Sequence, residues 1–221
     1  MCNDDNLALY YARRAAEYEQ IYQKPERQAD LQKLQEYFGQ LFTGFDVLEI
    51  ACGTGYWTQV IAQNAKSILA VDYAEEPLAI ADRKNYGNCP VRFVVDDAFS
   101  LTEVEGNFNA AFCGFWWSHV PKNMLSSFLR TLHGKLAPNA LVLMLDNIFV
   151  EGSSTPISRT DADGNAYQVR KLADGTVYEV LKNFPTPDEI RTTLAPFAAG
   201  IEIIELEYYW IAKYRTIQSN R

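Results

Sequence analysis

Two periods of hydrophobic patterning divide this chain. From Leu7 to Phe42 apolar residues recur at helical spacing, most clearly Leu31, Leu34, Phe38 and Leu41, and Lys24-Pro25 marks a break between a first helix and a second. From Val47 the period shortens. β-rich apolar runs at 47–51, 68–72, 91–95, 108–115 and 140–147 alternate with helical stretches at 55–65, 75–84 and 121–136. That alternation is the pattern of βαβ units feeding a parallel sheet, and it predicts a doubly wound α/β core.

Between 150 and 187 the pattern lapses. GSSTP, DADG and ADG are turn sequences, and the last separates Tyr167-Gln168-Val169-Arg170 from Val177-Tyr178-Glu179-Val180, which predicts a β-hairpin. An insertion of this length tends to be functional, and it is expected to act as a lid over a substrate site. Thr186-Pro187-Asp188-Glu189 then reads as a helix start, with Thr186 as N-cap and Glu189 in the capping-box position. Two strands close the chain, about Ile201 to Leu206 and Tyr209 to Tyr214, and so short a link requires them to be antiparallel. The expected organisation is a single domain over 1–221: a helical cap at 1–44, a core at 45–149, the inserted hairpin or lid at 150–187, and a C-terminal helix with antiparallel strands at 188–221.

Composition narrows the function. With 221 residues, 48% of them hydrophobic, the chain suits one packed domain. Its apolar runs, such as Ala140 to Leu145, fall far short of the ~20 residues a membrane span needs, and the N-terminal stretch is acidic where a signal peptide is basic. A cytoplasmic protein without a membrane partner is expected. Cysteines at 2, 52, 89 and 113 form no CxxC pair and lie in or beside apolar strands, which fits reduced, packed thiols and no metal. Twenty basic against twenty-eight acidic side chains give a net charge of −8, which disfavours nucleic acid and leaves small molecules as the expected substrates.

The first candidate for chemistry is VLEIACGTGY, where the run from Val47 ends in Gly53-Thr54-Gly55. Glycines there let the backbone turn tightly and approach a ligand, while amides at the start of the next helix face it. Asp72 ends the next strand about 20 residues on, where a carboxylate can accept both hydroxyls of a ribose; a helix cap is its alternative role. Asp96-Asp97-Ala98 follows the third strand, and a carboxylate there can accept from an adenine amino group. Asp97 is the favoured ligand of the two. A nicotinamide or flavin dinucleotide is disfavoured, since the third glycine of its GxGxxG fingerprint is replaced by Thr58.

VLEIACGTG at 47–55, VDYAEEPLAIA at 71–81, FVVDDA at 93–98, FNAAFCGFWWSHV at 108–120, LHGKLAPNALVLMLDN at 132–147 and the two terminal strands occur in an order and spacing that resembles the class I S-adenosylmethionine-dependent methyltransferases. The resemblance implies a Rossmann-like, mostly parallel seven-stranded sheet of order 3-2-1-4-5-7-6 with the last strand antiparallel. It also implies an enzyme that uses S-adenosylmethionine, releases S-adenosylhomocysteine and methylates a small-molecule acceptor by in-line transfer. A non-catalytic S-adenosylmethionine-binding or interaction protein on the same fold is the alternative.

Position by position, the resemblance implies that Glu49 and the Ala51 to Gly55 loop, with Gly53 in it, take the methionine part, Asp72 the ribose, and Asp97 with Ala98 the adenine, with Tyr73 a further cofactor-binding residue. The Gly114-Phe115 backbone would take the amino group, and Tyr11 and Tyr18, with Tyr10, would belong to an aromatic helix covering the cofactor. Asn109 and Pro138-Asn139 depart from the usual aspartate and Pro-Gly. On the acceptor side, His119 is the candidate base, with orienting the loop as its alternative role, and Asp146 could position an amine or hydroxyl. Trp116 and Trp117 could form an apolar wall, one of them being core. Arg159, Arg170, Lys171 and Lys182 could grip a carboxylate or phosphate.

Overall fold

The computed structural model describes residues 5–217, so Cys2 lies outside the described residues. Ten strands run in chain order: β1 (Asp46–Ile50), β2 (Ser67–Asp72), β3 (Val91–Val95), β4 (Phe108–Gly114), β5 (Leu136–Asn147), β6 (Arg159–Thr160), β7 (Ala166–Lys171), β8 (Val177–Leu181), β9 (Ala198–Glu205) and β10 (Tyr209–Thr216). The helices are α1 (Asp5–Arg14), α2 (Gln28–Leu41), α3 (Tyr56–Ile61), α4 (Glu75–Ala81), α5 (Leu125–His133) and α6 (Pro187–Leu194).

Seven strands form one sheet in the order β3-β2-β1-β4-β5-β10-β9. Pairing is parallel from β3 to β5, whereas β10 runs antiparallel to both β5 and β9. The sheet is therefore the one expected from the sequence, with β9 and β10 as its last two strands.

Residues alternate between the two faces of a strand, and the core follows that period. Leu48 and Ile50 of β1 face the layer holding Phe128, Leu132 and Ile190, while Val47 faces Leu34, Phe38, Trp57 and Ile61. In β4, Ala111 and Cys113 take the first side and Ala110 and Phe112 the second. A sheet buried on both faces reads in sequence as continuous apolar runs, and each fully buried Leu, Ile or Phe stabilises it by roughly 1.5–3 kcal/mol.

Three local differences have physical causes. Residues Ala15–Gln23, expected to continue an α-helix, wind as a 3-10 helix; at three residues per turn Ala15, Tyr18 and Ile21 fall on one face, toward the ligand cavities described below. Asn139 stands where glycine is usual because its backbone is left-handed, φ +60°, a conformation asparagine tolerates. The Asn109 side chain accepts from the Asp46 amide at 2.8 Å and so ties β4 to the start of β1.

The inserted segment forms a second, antiparallel sheet, β6-β7-β8, in which the expected hairpin gains a short third strand. Leu7 and Tyr10 of α1 are buried against Leu172 and Val180 of this sheet, so the N-terminal helix and the insertion meet above the carboxyl edge of the main sheet. Thr186 caps α6 with both hydrogen bonds of the capping box. No helix among the described residues is long and apolar enough to cross a membrane.

Candidate functional site

A cavity of about 570 Å³ opens at the carboxyl ends of β1 to β4. Its floor is the turn after β1. Ala51, Gly53 and Gly55 have φ of +54°, +56° and +78°, and a left-handed alanine is a strained position that the surroundings must enforce. The Cys52 amide donates to the Val71 carbonyl at 3.0 Å and the Gly53 amide to Asp72 Oδ2 at 2.8 Å, while Asp72 Oδ1 accepts from Ala74 at 3.1 Å. One carboxylate thus braces the turn and faces the cavity. Burial pushes its pKa up, against the pull of those amides. Gly55 serves packing: a Cβ there would meet the Tyr86 hydroxyl at 2.5 Å and Ala81 at 3.0 Å.

The two aspartates after β3 have separate tasks. Asp96 is buried and accepts from the amides of Asp97, Thr102 and Glu103 at 2.8, 3.2 and 2.9 Å, which occupies it with shaping the loop. Asp97 is exposed at the cavity edge beside Ala98, and its carboxylate accepts only a local bond from Phe99 at 2.9 Å. After β4, Gly114 and Phe115 line the same cavity, with Phe115 left-handed at φ +59°.

The roof is made by Tyr11, Ala15 and Tyr18. Glu19 locks it to the floor: its carboxylate accepts from the Thr54 hydroxyl at 2.7 Å and is ion-paired with Lys84. Tyr18 lies 3.9 Å from where a Cβ on Gly53 would sit. Tyr11 donates to His119 Nε2 at 2.8 Å, since His119 Nδ1 bonds the Leu181 carbonyl at 2.6 Å and must carry the proton. Burial, with Lys182 nearby, pulls the His119 pKa down to about 3, so the ring is neutral.

Behind His119 lies a buried ion pair. Lys182 donates to Asp146 at 2.9 Å and to the Ser118 hydroxyl at 2.6 Å, and Asp146 also accepts from the Ser118 and Asn147 amides at 2.9 and 2.8 Å. Burial raises the Asp146 pKa, but Lys182 and these amides outweigh it and keep the carboxyl ionised.

Most of the candidate residues therefore meet at one cavity: Tyr11, Tyr18, Ala51, Gly53, Asp72, Tyr73, Asp97, Ala98, Gly114, Phe115, Trp116 and His119 line it. Others stand apart. Glu49 is buried beside Thr58 rather than on the wall, and burial pushes its carboxyl up to about 8, which holds it neutral. Trp117 packs on Trp210 in the core, at 5.8 Å between rings, because the 3-10 turn Trp117–His119 after β4 points it inward, whereas Trp116 lines the cavity. Asp146 is fully buried in its ion pair. Arg159 is bound to Glu179 on the exposed face of the insertion, stacked over Tyr167, and Lys171 is exposed. Tyr10 lies on the buried face of α1, its ring 5.7 Å from that of Tyr178. Sequence reasoning missed Glu19 and Lys84 and the bond from Glu19 to Thr54, since these partners stand 35 and 65 residues from Glu19; the acidic Glu19 amid tyrosines carried no local signal of its role.

Known proteins bear on this arrangement. Residues 47–139 match the family model of the methyltransferase domain. The demethylmenaquinone methyltransferase of Staphylococcus aureus strain MRSA252 is 26% identical over 106 residues, 47% of this chain and 43% of that protein, so the chain spans less than half the length of that curated relative. Among solved structures, a DhpI–SAH complex is 26% identical, with a TM-score of 0.78 over 97% of both chains. A DhpI–SAM–HEP complex matches with the same identity and score over 96% of both.

Proposed function

Since this chain belongs to the class I S-adenosylmethionine-dependent methyltransferases, we propose that it binds S-adenosylmethionine in the 570 Å³ cavity and methylates a small-molecule acceptor. The observation that carries the reading is the left-handed turn from Ala51 to Gly55, braced by Asp72 at the cavity floor. The cavity is of the size that encloses a cofactor-sized molecule. Its donors and acceptors fit an adenosyl group: Asp72 for ribose hydroxyls, exposed Asp97 with Ala98 for the adenine, and the Gly53 and Gly114-Phe115 backbone for the methionine part.

When bound, that cofactor supplies a methyl group on a sulfonium sulfur; the acceptor's lone pair forms the new carbon bond while the carbon–sulfur pair returns to sulfur. The protein's own residues align and dehydrate. Tyr11, Tyr18 and Trp116 close the cavity against water, and alignment of two reactants in such a site is worth on the order of 7–11 kcal/mol. His119 is the residue that would meet an acceptor proton. Its neutral ring, with Nδ1–H fixed on Leu181, offers Nε2 as an acceptor once the Tyr11 hydroxyl gives way. A pKa near 3 makes it a weak base, suited to orienting a hydroxyl or accepting a proton briefly.

Incubating the protein with methyl-labelled S-adenosylmethionine and a metabolite extract tests the reading. Label should pass to a small molecule with release of S-adenosylhomocysteine. Binding of the donor with no transfer to any extract would instead favour a non-catalytic binding protein.

A further inference from the structure

A second cavity, of about 90 Å³, lies behind the roof. Tyr11, Tyr18 and Phe115 line both cavities, so the two share one aromatic wall. Among the described residues, the smaller one is lined by Arg14, Lys24, Arg27, Arg170 and Lys182, and by no Asp or Glu. Five cations gather there in a chain whose net charge is −8.

Their existing partners do not account for them. Arg27 is 7% exposed, yet its guanidinium meets only neutral acceptors: Ser153 Oγ at 3.0 Å, Asn147 Oδ1 at 3.5 Å, and the faces of Tyr208 and Tyr209. Arg14 donates to the Tyr10 hydroxyl at 2.8 Å. Arg170 donates to the Gln168 amide oxygen, and its Nε is buried with no hydrogen-bond partner. Among the described residues, carboxylates reach only Lys182, through Asp146 at 2.9 Å, and Lys24, whose Glu26 stands 3.9 Å away. The cations also disfavour one another: burial lowers the Lys24 pKa, with Arg27, Arg170 and Arg14 adding to it, and burial lowers that of Lys182, with Arg170 and Arg27 adding. A buried guanidinium with a free donor, among like charges, is unfavourable until an anion arrives. Guanidinium forks match oxyanion geometry, and charge-assisted bonds to them are the strong kind.

We propose that this chamber seats the anionic head of the methyl acceptor: a small carboxylate or phosphoryl-type oxyanion held by Arg170, Arg27 and Lys182. The atom to be methylated then lies at the boundary that Tyr11, Tyr18 and Phe115 share between the cavities, and these side chains must part for it to meet the donor. The inference rests on the methyl-transfer reading and names its acceptor class. Asp146 fixes Lys182 for this task and is a positioning residue.

Calorimetry at low salt tests it, with the intact protein saturated with S-adenosylhomocysteine and titrated with inorganic phosphate in one arm and acetate in the other. One-site binding of at least one anion is expected, weakening as salt rises. Arg170→Gln should weaken it about tenfold or more, and Arg159→Gln, altering an exposed arginine outside the chamber, should leave it unchanged. The arm that binds more tightly identifies the head group. Absence of binding to the loaded protein in both arms overturns the proposal, as does binding that Arg170→Gln leaves intact. Binding only to the unloaded protein also overturns it, because the chamber then serves the donor's own carboxylate. Should S-adenosylhomocysteine itself not bind, the methyl-transfer reading fails, while the anion titration of the unloaded protein still reads the chamber.

Discussion

Individual side chains in this protein carry their protonation states as a consequence of burial. His119 shows this best: its ring nitrogens are both engaged inside the protein, and burial lowers its pKa from 6.5 to about 3. The unfolded chain takes up that proton near pH 6.5 and the folded one only near 3, so the folded state is penalised as pH falls through this window. Stability is full above 6.5 and is lost progressively toward 3. His119→Asn, which cannot titrate, should show a flatter dependence of melting temperature on pH between 6.5 and 4 than the wild type, and thermal melts across that range check it; identical slopes would mean that His119 is not held neutral. The neutral ring also explains how much of its role the sequence could convey. FWWSHVP placed a histidine after the fourth strand, but the hydrogen bonds that fix its tautomer come from residues 62 and 108 positions away.

At the level of elements, the parallel core was legible because its strands are buried on both faces and alternate with helices of a different period. The glycine turn and Asp72 were legible too, since a strand, a turn and a second strand place them together by local chain geometry. The roof was not. Its 3-10 winding at 15–23 and its attachment through Glu19 to Thr54 and Lys84 depend on tertiary contact rather than on residue pattern. Arg159 and Arg170 illustrate the same limit: both are arginines in the insertion, yet one strand places its side chain on Glu179 at the surface and the other in the cation chamber. If Glu19 is the latch of the roof, Glu19→Ala should raise amide hydrogen exchange across 15–23 with the main sheet unaffected, and should weaken S-adenosylhomocysteine binding several-fold. Unchanged exchange in that segment would assign the roof's closure to Tyr11 and His119 instead.

For the whole molecule, two cavities on either side of one aromatic wall are proposed to divide the work of methyl transfer. The larger holds the carboxylates that suit sugar and base, and the smaller holds the cations that suit an anionic head. An acidic protein repels anions at long range, and gathering positive charge in one chamber would offset that repulsion locally for the proposed anionic acceptor. The insertion between β5 and α6 supplies Arg170 and Lys182, and α1 with its 3-10 extension supplies Tyr11, Arg14 and Tyr18, so the proposed acceptor chamber is lined largely by parts outside the main sheet. The donor cavity remains the premise for all of this. Calorimetric titration of the wild type and Asp72→Ala with S-adenosylhomocysteine tests it most directly: one equivalent should bind the wild type, and the variant, deprived of both the ribose acceptor and the brace on Gly53, should bind at least tenfold more weakly. No binding by the wild type, or equal binding by the variant, would contradict the account.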